Sequence, residues 1–78
     1  FLGIQWKNFD ELEPYQKRVV VEMEELLDKI EALEAFIHSE KFINVESTAQ
    51  FLLQQQVLTM TAYLHVLTAR VAMFASNV

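Results

Sequence analysis

Seventy-eight residues, 53% of them hydrophobic with a single glycine and a single proline, make one domain with few turns, which favours a small number of long helices over a sheet. The net charge of −5 disfavours a broad nucleic-acid surface, and the lack of cysteine excludes disulfides and thiolate metal sites. A chain of this length is near the lower limit for burying a sufficient core alone, and association with further copies is the usual remedy.

The first segment, residues 1–9, reads as an apolar N-terminal arm too short to fold by itself; the remainder, 10–78, reads as a helical hairpin. The arm lacks the basic start and small-residue cleavage site of a secretory signal. Its Trp6 either docks on the hairpin as ordinary packing or stacks on a planar ligand.

Helix one is expected over about residues 11–38. Asp10 is a good N-cap with Glu13 placed to complete a capping box, and Pro14 is tolerated only in the first turn. Val19, Met23, Leu26, Ile30, Leu33 and Ile37 recur at alternating steps of four and three, the seam of a helix packed along its length. Val20, Leu27 and Phe36 widen that seam to one side. The other side carries Glu22, Glu24, Glu25, Asp28, Glu31 and Glu34. Glu24, Asp28 and Glu31 have helical spacing, but no histidine stands where a carboxylate metal motif needs one, so this side reads as a solvated face.

A connection over 39–47 follows, anchored by Phe42, Ile43 and Val45. Ser47 through Gln50 fits a capping box that opens helix two, expected over about 48–75. Its seam is Leu53, Val57, Met60, Leu64, Leu67, Val71 and Phe74, again at steps of four and three. A second apolar stripe follows Phe51, Leu58, Ala62, Val66, Ala69 and Met73. A helix apolar on two faces is buried on two faces, and one partner helix supplies only one. The fold class is therefore all-α: an antiparallel two-helix hairpin that assembles, coiled-coil fashion, into an oligomeric bundle with the second stripe as the interface. The run from Val57 to Ala75 is also long enough to span a bilayer. Arg70, His65, three threonines and the absence of flanking basic residues argue against a membrane.

No nucleophile–base pair, glycine-rich phosphate loop or metal motif is visible, so the chain does not read as an enzyme and implies no cofactor. Beyond Glu46 the sole full charge is Arg70, with Tyr63 and His65 nearby in sequence. A buried arginine needs a partner. Either an acid of helix one pairs with it structurally, or it holds a phosphate or other anion. Antiparallel closure brings it toward Tyr15, Lys17 and Arg18, which together outline a candidate anion pocket.

The run Asp10-Glu-Leu-Glu-Pro-Tyr-Gln-Lys-Arg-Val-Val, followed by an E-x-x-x-L-x-x-K-I-x-x-L-x-x-F-I stretch over residues 22–37, resembles small uncharacterised phage and prophage proteins that look like short helical hairpins. The likeness covers about the first half; the uncharged second half departs from it. The resemblance implies viral origin, an accessory role and action in the host cytoplasm. A looser architectural similarity is to phage sponge proteins, oligomeric helical hairpins that sequester cyclic nucleotides or related signals of bacterial defence. No binding residue of those sponges maps onto a position here.

The resulting expectation is an oligomeric anti-defence protein that binds copies of itself and sequesters a small anionic nucleotide-type signal. A protein-binding inhibitor of a host defence protein, or a purely structural oligomerisation module, is the alternative.

Overall fold

Proline decides where the first helix begins. The computed structural model describes residues 9–76, with side chains for 10–74. Most of the expected arm, Trp6 included, falls outside the described residues. Pro14 is the first residue of α1 (Pro14–Ile37), and Glu13 before it is extended, with φ −65° and ψ 153°. A residue preceding proline is pushed out of the helical region. The cap therefore falls on Glu13 rather than on Asp10, which lies in a separate 3-10 turn, Phe9–Glu11. Gln16 Oε1 accepts a hydrogen bond from the Glu13 backbone N–H at 2.9 Å, satisfying one of the donors a helix start leaves open. The break at Glu13 also delivers Leu12 into the core.

α1 stops at Ile37, where the His38 N–H bonds the Glu34 carbonyl at 3.0 Å and His38 Nδ1 lies 2.8 Å from the same oxygen. Ser39 Oγ donates to the Phe36 carbonyl at 2.6 Å. A short 3-10 helix, Glu40–Asn44, then turns the chain. Phe42 meets Phe36 edge-on at 6.1 Å, and Gln50 Nε2 donates to the Phe42 carbonyl at 2.8 Å. Phe42 and Val45 are half-buried as anchors, but Ile43 is 77% exposed, because a tight 3-10 turn points one side outward whatever its sequence.

α2 runs Ser47–Ser76. Its start is capped by Glu46, not by Ser47. The Glu46 carboxylate accepts from the backbone N–H groups of Thr48 at 3.2 Å and Ala49 at 3.3 Å. Those bonds, with the Thr48 hydroxyl, hold its pKa below the ordinary carboxylate value. A full negative charge at the positive end of the helix dipole outcompetes a neutral hydroxyl for the cap position.

The two helices pack antiparallel, and among the described residues there is no strand. The core is Leu12, Val19, Val20, Met23, Leu26 and Ile30 of the first half against Leu67, Val71 and Phe74 of α2, with Met60 and Leu64 packed alongside. Closure along the seam is uneven. Leu33 and Ile37 of α1, and Leu53 and Val57 of α2, are only half-buried at the connection end. Leu27 and Phe36, expected to widen the seam, are more than one-third exposed, whereas Val20 is buried.

The hairpin measures 49 × 21 × 17 Å, one helix pair thick, and among the described residues no third layer covers the back of α2. Phe51, Leu58, Val66 and Met73 are each more than half exposed, and Ala62 and Ala69 are exposed between them. The span Ser47–Phe74 is long and apolar enough by composition to cross a membrane, with 11% of its most apolar window buried.

Candidate functional site

Two contacts fix how the helices face each other along one flank. Tyr15 meets Phe74 edge-on, with ring centroids 6.0 Å apart. Seven residues further along α1, Glu22 accepts a hydrogen bond from the Tyr63 hydroxyl. Arg70 lies one turn before Phe74 and two turns after Tyr63, so its level falls between these contacts. Arg18 lies one turn after Tyr15 and one before Glu22, on the same stripe of α1. The flank therefore gathers Tyr15 and Arg18 of α1 with Tyr63 and Arg70 of α2, all four exposed.

Lys17 and Arg18, with Val21, Glu22 and Glu25, line a shallow open groove on α1 that adjoins this flank. Three cations thus stand against two carboxylates. Glu22 keeps its negative charge while it accepts the Tyr63 bond.

Arg70 is exposed. The argument that burial obliges it to have a structural partner therefore does not apply, since an exposed guanidinium is satisfied by water. His65 does not join the flank: it is two residues from Tyr63, about 200° around the helix, and points to another side. Trp6 lies outside the described residues. The residue that sequence reasoning assigned elsewhere is Glu22, read there as one more carboxylate of a solvated face. Its position four residues after Arg18, at the edge of the seam, was the available signal.

The Tyr63–Glu22 bond has a measurable consequence. The Tyr63 pKa is raised above its ordinary 10.0, first by the hydrogen bond to Glu22, then by desolvation and the Glu22 charge, with Arg70 opposing. A tyrosine whose folded pKa is raised contributes stability that is complete below pH 10.0 and lost as pH rises through the folded value. Following tyrosinate absorbance against pH should show one of the two tyrosines titrating late, and Glu22→Gln should bring that transition down. An unchanged midpoint in the variant would exclude the bond.

A family model described as Sequestin matches residues 13–73 of the chain. The chain belongs to the Sequestin family. It is also 42% identical over 60 residues to an uncharacterised 7.5 kDa protein of the denB–rIIB intergenic region of Enterobacteria phage T4, covering 77% of this chain and 94% of that relative. These matches place it among small helical proteins of phage origin. The Sequestin match spans both helices, so the likeness reaches well beyond the first half of the chain. Every flank residue from Tyr15 to Arg70 lies within the matched span, whereas Trp6 precedes it. No solved structure matches the chain.

Proposed function

We propose that this Sequestin-family chain is an accessory phage protein that binds and sequesters a small anionic ligand of nucleotide type in the host cytoplasm, without transforming it. The observation that carries the reading is the flank itself: Arg18 and Arg70, from different helices, converge beside two exposed tyrosines on an acidic protein. Guanidinium groups hold phosphate oxygens by paired, charge-assisted hydrogen bonds. Tyr15 and Tyr63 offer ring faces on which a base can stack. The family name, which denotes sequestration, agrees with a role of binding rather than catalysis.

The acidic face of α1, where Glu24, Asp28 and Glu31 are exposed, favours a second reading as an inhibitor that docks on a basic host protein. Mass spectrometry distinguishes the readings. Protein isolated gently from bacteria carrying an active defence system, then denatured, should release a phosphate-bearing small molecule in near-stoichiometric amount. Release of no such molecule, with a host protein retained in its place, would overturn the sequestration reading in favour of the second.

A further inference from the structure

The cations of the flank occupy a short stretch, and carboxylates close it in on both sides. On α1, Lys17 and Arg18 are adjacent, and the next cation, Lys29, lies about 16 Å further along the axis. Arg70 is the sole full charge of α2. Before the pair stand Asp10 and Glu11 in the 3-10 turn and Glu13 at the helix cap, all exposed. After it, Glu22 and Glu25 continue the stripe of Arg18, about 6 and 10 Å along the axis from it. Both line the same groove as Lys17 and Arg18, with Val21 beside them. The bond from the Tyr63 hydroxyl anchors the Glu22 carboxylate at the edge of this groove.

We propose, resting on the sequestration reading, that Glu22 and Glu25 set the charge specificity of the flank. They leave room for a compact anion with one or two phosphate groups and exclude polyphosphates and nucleic-acid strands. Arg18 and Arg70 come from different helices, and their levels both fall between the Tyr15–Phe74 and Glu22–Tyr63 contacts. One phosphate bound by the two guanidinium groups needs no carboxylate as a neighbour. A chain of phosphates continuing along the groove runs onto Glu22 and then Glu25. Glu22 already lies within the screening length of about 8 Å at physiological salt, so each added negative charge is repelled. A chain running the other way, past Tyr15, meets the acids of the 3-10 turn and the cap. Lys17, Arg18 and Arg70 against Glu22 and Glu25 leave one net positive charge, enough to hold a small anion and too little to hold a polyanion. Nucleic-acid binding needs several cations in a row along the backbone, which this stretch does not offer.

Inorganic tripolyphosphate is the probe, titrated calorimetrically at low salt. The Glu22→Gln/Glu25→Gln protein should bind it at least about 10-fold tighter than the unsubstituted protein. Glutamine keeps an acceptor oxygen for the Tyr63 hydroxyl, so the contact between the helices survives. Glu25→Gln alone leaves the Glu22–Tyr63 bond untouched and should show part of the gain. Glu34→Gln/Glu40→Gln makes the same change in net charge on exposed residues toward the connection end, with Glu34 about 24 Å along α1 from Arg18. It should leave tripolyphosphate affinity unchanged. The phosphate-bearing molecule released by the isolated protein should carry no more than two phosphate groups.

An equal gain in the Glu34→Gln/Glu40→Gln protein would make overall charge the cause and overturn the proposal. So would the absence of any gain in both Glu22→Gln/Glu25→Gln and Glu25→Gln, or tripolyphosphate bound as tightly by the unsubstituted protein as by the variant. A released molecule with three or more phosphate groups would overturn the charge limit while upholding sequestration. Release of no phosphate-bearing molecule would remove the sequestration reading itself, whatever the inorganic probe shows.

Discussion

Leu67→Ala is expected to destabilise the hairpin by about 2–5 kcal/mol, the range for truncating a fully buried aliphatic side chain. Leu67 is 0% exposed and packs in the layer that also holds Met23 and Val71, both fully buried. The cluster that holds Leu67 is hydrophobic throughout and no described polar residue is buried, so nothing there anchors water in the space the truncation leaves and the lost contacts stand uncompensated. Below roughly 80 residues a single hydrophobic core rarely supplies more than about 3–5 kcal/mol, so the loss takes most of the stability and the variant would be partly unfolded at ambient temperature. Leu64→Ala, one position earlier in the seam but only half-buried, should be clearly milder. Glu24→Ala, on the exposed side of α1, should be nearly neutral. Urea unfolding followed by circular dichroism gives all three values under one set of conditions. If Leu67 and Glu24 proved equally sensitive, the assignment of faces would be wrong.

Arg70→Ala should weaken nucleotide binding by about 10- to 100-fold, the effect of removing hydrogen bonds to a charged group. Helix content and melting temperature should stay the same. The second expectation follows from exposure: Arg70 stands in water, so its removal strands no buried carboxylate. Calorimetric titration of a panel of linear and cyclic nucleotides against both proteins tests the first, and thermal melts test the second. Arg70→Lys separates geometry from charge, since a lysine keeps the charge but loses the planar fork that pairs with phosphate. Partial retention of binding by the lysine variant is expected. A drop in melting temperature with binding unchanged would make Arg70 a structural residue and remove the basis of the proposed site.

Much of this molecule was legible in its sequence. Both seams, from Val19 to Ile37 and from Leu53 to Phe74, follow from the helical repeat, because that repeat fixes where each residue sits around its own axis. For the same reason the stripe through Phe51, Leu58, Ala62, Val66, Ala69 and Met73 could be identified as a second apolar face before any partner helix was placed. The separation of His65 from Tyr63 follows from the same rule. The motif shared with phage proteins over residues 10–37 likewise pointed to the family, though it understated how far the likeness extends.

The tertiary structure decided what depends on two helices at once, or on competition for one position. The repeat says nothing about the register between α1 and α2. That register is set by the 3-10 turn at Glu40–Asn44, its Phe42–Phe36 contact and the Gln50 bond to the Phe42 carbonyl. Only with the register in place does Glu22 meet Tyr63 and Arg70 come level with Tyr15 and Arg18. Cap positions were likewise open, because Asp10 competes with Glu13, and Ser47 with Glu46, on nearly equal local terms. Pro14 settled the first by forcing Glu13 extended, and the helix dipole settled the second in favour of a carboxylate over a hydroxyl. Periodicity constrains one helix about its own axis; the relation between two helices rests on contacts far apart in sequence, which periodicity does not encode.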